Sequence, residues 1–436
     1  MFIKFMQISF VKLLYKEEND MKNNKGITLV ALVVTIVVLL ILAGVSINLV
    51  LGNNGIIAKA KEAETKSGEA RENDLKGMNS LIDQMESALN GSGNGGKTEP
   101  ETIPYLPSDD FHYDTSTSVD TGLVIADTDG NEYVWVVVPK SLYNNTAYNS
   151  NNENKPSSST DYANIEYCLQ QYTATYRNGT DYLDTWDADT ANVGWFENET
   201  AYNNLKNSML KSIYENGGFY VGRYEAGIDT TTGTNRTSLE AQVDGKYPVP
   251  TTAPVIKADA YPYTYVTRTQ AQNLANNVNS GSRTSSLMFG VQWDLVLAFM
   301  SKDTTKVNQG TLKELISDST AIGNYSNNSW TITNENAQYL SNGKFVPCPN
   351  PFKKELSSSI LLTTGADSSF SVQNIYDIAG NVYEWTLEKT SDNSSPCAIR
   401  GGNYYYSSGS RTPAAHRDGI DTFNYNDDVG FRVALW

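Results

Sequence analysis

Histidine and cysteine are scarce in this sequence. Its 436 residues include only 2 His and 3 Cys. A zinc-cluster array, or a scaffold of four or more bridged cysteines, needs more of both, so these two classes of protein are excluded. Basic residues are also few: Lys and Arg number 33 against 49 Asp and Glu, and the net charge is −16. An acidic surface repels phosphate backbones and no local basic stripe is present, so we expect no nucleic-acid partner.

Tyrosine and glycine are what the sequence has in quantity. It contains 27 Tyr and 32 Gly, and 39% of its residues are hydrophobic. This composition indicates a turn-rich domain with enough apolar side chains for a core, and with many aromatic rings that also carry a hydroxyl group. The length fits one large domain with appendages, or two to three domains.

One uncharged run dominates the N-terminal region. It extends from Ile27 to Leu51, and as a helix it would rise about 37 Å, against roughly 30 Å for the hydrocarbon core of a bilayer. The apolar part of a secretory signal peptide is shorter, about 7–15 residues, so the run predicts a transmembrane helix. Lys22 and Lys25 precede the run. They predict a cytoplasmic N-terminus, with the C-terminal domain of a single-pass membrane protein outside the cell.

The string KGITLVALVV at the start of this run resembles the N-terminus of type IV prepilins and pseudopilins. The resemblance implies cleavage by a prepilin peptidase between Gly26 and Ile27, methylation of the new N-terminus, and other pilin subunits as partners. It also implies a glutamate at the fifth mature position, where this chain has Ala31. That departure favours a minor, tip or merely membrane-anchored role. The start codon is left open between Met1 and Met21, because Met21 would give the short leader MKNNKG.

The predicted domain organisation has four parts. Residues 1–26 are the leader, and 27–90 form a transmembrane and amphipathic pilin-like helix, because apolar residues continue at three- and four-residue steps after the membrane run. Residues 91–110 are a flexible linker that begins with GSGNGG. Residues 111–436 are the C-terminal domain, with an Asn/Ser-rich surface insertion at about 141–160.

Local patterns in the C-terminal domain predict a hairpin and several helices. The apolar runs of 122–140 flank a D-G pair and predict a hairpin. Asp127, Asp129 and Asn131 have the spacing of a calcium loop, but Val138 replaces the glutamate that such a loop needs, so we expect an ordinary turn. Helices are expected at three places: near 201–215, at 269–278 with Thr269 as the N-cap, and at 293–302.

Four later segments resemble the formylglycine-generating enzyme family, also called sulfatase-modifying factors. In chain order they are GGFYVGRYEAG (217–227), GVQWDLVLAFM (290–300), NIYDIAGNVYEW (374–385), and IRGGNYYY (399–406) with VGFRVAL (429–435). The resemblance implies a C-type-lectin-like fold from about 122 to 436. The predicted fold class is therefore α+β: a long N-terminal transmembrane, pilin-like helix followed by an irregular C-type-lectin-like domain.

Enzymes of this family use a copper ion, held by two cysteines, to oxidise a cysteine of target sulfatases. The resemblance places those cysteines at the fourth and ninth positions after the second glycine of R-G-G, where this chain has Tyr406 and Arg411. Cu(I) selects sulfur ligands, so we predict that the protein is not an enzyme of this type. Cys168, Cys348 and Cys397 do not match the pair. Cys348 and Cys397 either form a disulfide or stay buried as small apolar residues.

Calcium is the one candidate cofactor. In some relatives the G-N-x-x-E-W loop binds calcium, and the matching groups here are the carbonyls of Gly380 and Val382 and the carboxylate of Glu384. Hard oxygen ligands suit calcium. The alternative is that Glu384 pairs with an arginine in the core.

The segment 403–428 has an unusual composition. It contains no Lys, Glu, Gln, Met or Trp, and the codons of these amino acids cannot end in C or T. In this respect it resembles the variable region of target proteins of diversity-generating retroelements. Chance, or the ordinary composition of exposed loops, would give the same result. Its Tyr residues supply rigid contact area at low entropic cost, while Ser and Asn adapt their hydrogen bonds.

These features predict a surface-displayed or pilus-associated adhesin or receptor that binds a protein or a glycan. A minor pilin or pseudopilin with a structural role is the alternative, and a sulfatase-modifying oxidase is the less favoured third function. The expected ligand-binding residues are Tyr404, Tyr405, Tyr406, Ser408, Arg411, His416, Arg417, Asp421, Asn424, Tyr425 and Asn426.

Overall fold

The computed structural model describes residues 104–177, 180, 182–187, 196, 198–242, 246, 248–409 and 412–436. The predicted leader, the cleavage site at Gly26 and Ile27, the helix at 27–90 and most of the linker lie outside these residues. The prepilin peptidase, the membrane and other pilin subunits therefore stay predicted partners.

The expected fold class is wrong in giving the structure a long transmembrane helix. The described residues form mixed sheets and few helices, and no helix among them is long and apolar enough to cross a membrane. The longest described helix, Glu199–Asn216, has 18 residues and carries Lys206, Lys211 and Glu215. A helix with such polar residues packs at a protein surface and not within hydrocarbon.

The strands of the described residues are short. In chain order they are β1 (Phe111–Tyr113), β2 (Val124–Asp127), β3 (Glu132–Val137), β4 (Gly218–Gly222), β5 (Gly227–Ile228), β6 (Tyr261–Pro262), β7 (Ser285–Leu287), β8 (Trp330–Ile332), β9 (Gln338–Ser341), β10 (Lys344–Pro347), β11 (Phe352–Lys354), β12 (Ser371–Val372), β13 (Ile375–Tyr376), β14 (Tyr383–Lys389), β15 (Cys397–Arg400), β16 (Arg417–Ile420), β17 (Val429–Phe431) and β18 (Val433–Leu435). Two larger sheets and four two-stranded ribbons result from their pairing.

The central sheet is antiparallel and has the strand order β1-β2-β3-β4-β18-β7. In β3 the residues from Tyr133 to Val136 are all buried, a continuous apolar run of the kind that a strand covered on both faces needs. Trp135 of β3 lies opposite Tyr220 of β4, and the centroids of the two rings are 4.9 Å apart. Aromatic packing therefore supports the middle of this sheet.

The hairpin predicted at 122–140 is confirmed. Strands β2 and β3 pair with Val124 opposite Val134. The Asp127 carboxylate accepts hydrogen bonds from the backbone N–H of Asn131 at 2.8 Å and from its side-chain amide at 2.9 Å. This carboxylate is used to close the turn, as expected for an ordinary turn.

The second sheet has the strand order β16-β15-β14-β17, with β14 and β17 parallel. Arg432 lies between β17 of this sheet and β18 of the central sheet, so the chain crosses from one sheet to the other at this residue. Its buried guanidinium donates to the Glu384 carboxylate of β14, at 2.6 Å for the shortest bond, and to the carbonyl oxygen of Gly222 at 2.9 Å. One side chain thus joins the two sheets.

Six α-helices occur in the described residues: α1 (Tyr162–Tyr172), α2 (Glu199–Asn216), α3 (Ser238–Ala241), α4 (Arg268–Ala275), α5 (Gly290–Met300) and α6 (Lys313–Ile316). The three helices expected from the sequence correspond to α2, α4 and α5. The expected N-cap Thr269 is wrong, because the cap of α4 is Thr267. The hydroxyl of Thr267 accepts from the N–H of Gln270, whose side chain accepts from the N–H of Thr267, and this reciprocal pair fixes where the helix begins.

Part of the Asn/Ser-rich segment at 141–160 is anchored in the core. Leu142 and Tyr143 are buried. The side-chain amide of the fully buried Asn149 donates to the carbonyl oxygen of Tyr143 at 3.1 Å. A segment expected to bury little therefore contributes apolar side chains to the packing between its short turn of helix and α1.

Four buried charges connect α5 with β14, β15 and β16. Arg400 of β15 contacts Asp294 of α5 at 2.9 Å and Glu388 of β14 at 3.1 Å. Arg417 of β16 contacts the same two carboxylates at 2.5 Å and 2.9 Å. All four side chains are fully buried. The partly exposed Arg177 also reaches Asp294, at 3.4 Å. Each buried charge thus faces charges of the opposite sign, which is the condition for keeping such charges inside a protein.

Replacing Arg417 by Met keeps much of the side-chain volume but leaves Arg400 as the one close arginine shared by Asp294 and Glu388, with Arg177 at 3.4 Å from Asp294. An uncompensated buried charge costs about 3–5 kcal/mol. We therefore expect Arg417→Met to lose this much free energy of unfolding in urea titrations of the full chain. The neighbouring Asp418, whose side chain is 58% exposed, is the control, and Asp418→Asn should change stability by less than about 0.5 kcal/mol. Equal losses in the two variants would contradict the network.

Candidate ligand-binding surface

The segment that follows β15 leaves the sheet through two glycines. Gly401 and Gly402 have φ angles of +89° and +80°, and a Cβ atom on Gly402 would lie 2.5 Å from the carbonyl oxygen of Thr412. Only glycine fits there without displacing the backbone. The hydroxyl of Tyr325 donates to the carbonyl oxygen of Gly401 at 2.9 Å. The R-G-G string is therefore a fixed turn at which the chain leaves β15.

Asn403 organises the residues after this turn. Its side-chain oxygen accepts from the N–H groups of Tyr405 at 3.1 Å and Tyr406 at 2.9 Å. Its side-chain amide donates to the Asp428 carboxylate at 2.6 Å. Asn403 itself is fully buried. The backbone that carries the two tyrosines is thus held from the interior.

Tyr405 and Tyr406 point to solvent. They are 61% and 49% exposed, whereas Tyr404 is only 9% exposed and packs inward. The rings of Tyr405 and Tyr406 are 5.5 Å apart between centroids and nearly perpendicular, at 86°. Tyr406 also lies 6.4 Å from the ring of Tyr383 at the start of β14. The result is a pair of aromatic faces in a defined mutual orientation.

Two upstream segments border this pair, and the sequence patterns had not singled them out. The N–H of Ser326 donates to the carbonyl oxygen of Tyr406 at 3.0 Å. The hydroxyl of Ser359 donates to the backbone carbonyl oxygen of Tyr405 at 3.5 Å. Leu356 is 64% exposed on the same loop as Ser359. An isolated Leu in a polar stretch gives no sequence signal, because single exposed apolar residues are common.

Residues 421–428 form a second strip beside the tyrosines. The hydroxyl of Tyr425 donates to the side chain of Gln242 at 2.8 Å, and the N–H of Tyr265 donates to the carbonyl oxygen of Asn426 at 3.0 Å. The hydroxyl of Tyr404 lies 3.4 Å from the Asp427 carboxylate, which ties the two strips together. Asp421 and Asn424 are half-buried on this strip. We call the following set the recognition surface: Leu356, Ser359, Tyr405, Tyr406, Tyr425 and Asn426.

Other residues expected to bind ligand lie elsewhere. Arg417 is buried in the four-charge network. Ser408 is also buried, and its hydroxyl accepts from the N–H of Ser319 at 2.7 Å. Both side chains are therefore engaged in packing and not available on the recognition surface. The side chain of His416 is 21% exposed, 4.0 Å from Asp418. Arg411 lies outside the residues that the structure describes.

The strip at 421–428 is acidic. Burial, together with the neighbouring charge of Asp427, raises the pKa of the Asp428 carboxyl from 3.8 to about 6. The His416 side chain, 4.0 Å away, lowers the pKa of Asp418. Negative potential is therefore concentrated where Asp427 and Asp428 follow each other, beside the inward ring of Tyr404.

The Glu384 carboxylate, proposed to bind calcium, is already paired with an arginine. The Glu384 oxygens both face the guanidinium of Arg432, at 3.1 Å or less. Gly380 has φ of +75° and packs its Cα against the backbone of Asn324, and the N–H of Val382 donates to the Glu225 carboxylate at 3.2 Å. A calcium ion at Glu384 would meet a positive charge that already satisfies the carboxylate. The alternative stated from the sequence, a core ion pair of Glu384 with arginine, describes this geometry.

The described cysteines are all free thiols. Cys168 and Cys397 are buried, and Cys348 is half-buried. Burial raises the pKa of Cys168 and of Cys348 to about 11, so neither carries a reactive thiolate at neutral pH. The disulfide considered between Cys348 and Cys397 is not present, and both stay reduced as small side chains in the packing.

Residues 317–435 match the family of the sulfatase-modifying factor enzyme 1-like domain. This match confirms the expected resemblance over these residues, and with it the C-type-lectin-like domain. Every residue of the recognition surface belongs to the matched region.

Two solved structures are similar to the chain. CarF shares 16% identity, with 50% of this chain and 85% of CarF covered and a TM-score of 0.27. Variable protein 1 of Treponema denticola shares 14% identity, with 72% of this chain and 86% of that protein covered and a TM-score of 0.20. No curated protein matched the chain.

The raised pKa of Asp428 predicts a pH-dependent effect of its replacement. Since the pKa is raised in the folded state, the contribution of Asp428 to stability is present below about pH 4 and is lost as the pH rises through about 6. Asp428→Asn mimics the protonated acid. We expect the Tm of this variant, relative to the original chain, to be higher at pH 7.5 than at pH 4. Asp421→Asn controls for removing a charge from the same strip, and a difference for Asp428→Asn that does not change with pH would refute the prediction.

Proposed function

We propose that this protein is an adhesin or receptor that binds a protein or glycan ligand through the recognition surface. The observation that carries the proposal is the pair of exposed rings, Tyr405 and Tyr406, whose backbone is held by the buried side chain of Asn403. Display of this domain outside the cell is part of the proposal and rests on the sequence around Gly26 alone.

Rigid support is what makes these rings suited to binding. A tyrosine has few rotatable bonds, and its ring supplies apolar contact area while its hydroxyl forms hydrogen bonds. Because the backbone of Tyr405 and Tyr406 is already fixed by Asn403 and by Ser326, little ordering entropy is lost on association. In protein complexes, a few such anchor residues supply most of the binding energy.

The surroundings of the rings narrow the chemistry of the ligand. Ser359 and Asn426 are exposed hydrogen-bonding side chains beside the tyrosines, and Asp427 and Asp428 add negative charge. Aromatic faces with hydroxyl and amide groups suit a glycan, and carboxylates next to tyrosine rings suit Lys or Arg side chains of a protein. Salt separates the two: binding to a cationic protein weakens as ionic strength rises, whereas binding to a neutral glycan does not.

Catalysis is not part of this proposal. Tyr406 and Arg411 stand where the resemblance to the oxidases placed the copper-binding cysteines. That the protein is not such an oxidase stays a prediction, which copper uptake by the purified chain would contradict.

Removing both exposed rings tests the proposed surface. We expect the double variant Tyr405→Ala, Tyr406→Ala to bind at least about ten-fold more weakly to any ligand found for the original chain on a glycan array or an array of purified proteins, since each anchor contributes about 1–2 kcal/mol or more. Its Tm should stay close to the original, because both rings are exposed.

Leu183→Ala is the matched control. Leu183 is 52% exposed and pairs with Lys389 at the other end of β14. Binding that survives in the double variant, or that falls equally in the control, would place the ligand elsewhere.

The composition of 403–428 leads to a further expectation about the gene. If this segment is diversified, the flanking DNA should contain a reverse-transcriptase gene and an imperfect copy of codons 399–436 that differs mainly at adenines. Codons for exposed residues such as Tyr405, Tyr406 and Asn426 should vary among strains, whereas those for the buried Arg417 and Asn403 should not. A few kilobases of flanking sequence decide this. Absence of both elements would leave a fixed adhesin or a minor pilin.

A further inference from the structure

A short loop, residues 325–328, lies directly beneath the recognition surface and shapes it. The N–H of Ser326 donates to the carbonyl oxygen of Tyr406 at 3.0 Å. The side chain of Asn327 brackets Ser408, accepting from its N–H at 2.9 Å and donating to its carbonyl oxygen at 2.7 Å. The carbonyl oxygen of Ser326 accepts from the N–H of Ser357, next to Leu356, at 2.8 Å. The loop thus holds both segments that carry the exposed Tyr and Leu side chains.

The carbonyl groups of this loop converge on one buried lysine. Lys354 is the last residue of β11 and is only 2% exposed. Its Nζ lies 2.6 Å from the carbonyl oxygen of Tyr325, 3.4 Å from that of Ser326 and 3.3 Å from the side-chain oxygen of Asn328. It also donates to the backbone carbonyl oxygen of Asn328. Four oxygens from three residues of the loop, Tyr325, Ser326 and Asn328, therefore surround a single ammonium group.

The ammonium group has no carboxylate partner among the described residues. Burial alone accounts for the shift of its pKa from 10.5 to about 8, so the charged form still predominates at pH 7. The ring of Trp330, across the β8–β11 pair, is 5.8 Å away. Most buried lysines are neutralised by an acid. Here the positive charge is met by carbonyl dipoles and by an aromatic face instead.

A set of converging carbonyl and amide oxygens in an irregular loop is also what a hard metal cation binds. We propose that the Lys354 ammonium serves as a tethered cation in this oxygen cage, ordering the loop beneath the recognition surface as a bound metal ion would. The cage is complete within the chain, so the loop keeps its shape without any metal. Lys354 is a positioning residue: it acts on the recognition surface only through Ser326 and Asn327.

The order of the loop does not depend on the proposed ligand-binding role, but the consequence for binding rests on it. If Lys354 is lost, the loop carbonyls repel one another and Ser326 no longer holds Tyr406. Ligand binding would then weaken although both tyrosines are present. If Lys354 variants lose loop order but no ligand is found for the original chain, this inference holds while the proposed function fails.

The test removes the ammonium group and offers free cations in its place. In the full chain, Lys354→Ala should lower the Tm by about 5 °C or more, and adding CaCl2, KCl or methylammonium chloride should raise it again in a concentration-dependent way. Tetramethylammonium chloride, which is too large for the cage, controls for ionic strength and should not. Lys353→Ala is the matched control, because Lys353 is the neighbouring residue on β11 and is exposed. The original chain and this control should respond to none of the three cations, and EDTA should leave their Tm unchanged.

A Tm of Lys354→Ala that is unchanged, or that no cation restores, would overturn the proposal, since the lysine would then be only a packed side chain. If Lys354→Ala does not fold, the proposal is tested by NMR on the original chain instead. With 15N-lysine labelling at pH 7, a caged ammonium exchanges its hydrogens slowly and gives its own 15N–1H cross-peak. That peak should persist in Lys353→Ala and be absent from Lys354→Met. Absence of any such peak from the original chain would refute the cage.

Discussion

The buried charge network of Arg400, Arg417, Asp294 and Glu388 is the interaction on which the domain depends. Its strands are two to seven residues long, so their ladders alone satisfy few backbone groups and bury little surface. The network instead ties three strands of the second sheet to α5 by charged hydrogen bonds in a dry interior. In such surroundings each charge is stable only while its partners are in place. Loss of one charge therefore destabilises the others, a coupling that hydrophobic packing alone would not produce.

Buried polar side chains also hold the structure together between the two sheets and beneath the recognition surface. Arg432 joins the two sheets through Glu384 and Gly222, Asn403 holds the backbone of the exposed tyrosines, and Lys354 gathers the carbonyls of the loop below. In each case a long or branched polar side chain takes over hydrogen bonds that regular secondary structure would otherwise make. Because Asn403 and Lys354 support the recognition surface from inside, the exposed side chains of this surface can change without changing its backbone shape.

Local features were predictable from the sequence, and long-range placement was not. The hairpin at β2 and β3 and the helices α2, α4 and α5 follow from patterns a few residues long. The composition of 403–428 pointed to Tyr405 and Tyr406, which are exposed. It equally pointed to Arg417 and Ser408, which are buried, since composition does not report which side of a loop faces water. Leu356 and Ser359 were missed because they lie about fifty residues upstream of the tyrosines they accompany.

Local sequence is enough to specify the charge balance, the hairpin, the helix patterns, and the resemblance confirmed over 317–435. These depend on residue identity and short spacing, which a chain retains before it folds. Long-range contacts, by contrast, place Glu384 against Arg432, make Arg417 an internal charge, and surround Lys354 with loop oxygens. Each of these depends on burial and on partners brought together from distant parts of the chain. The protonation, pairing and accessibility of a polar side chain follow from those surroundings, so the same residue type serves as scaffold in one place and as contact surface in another.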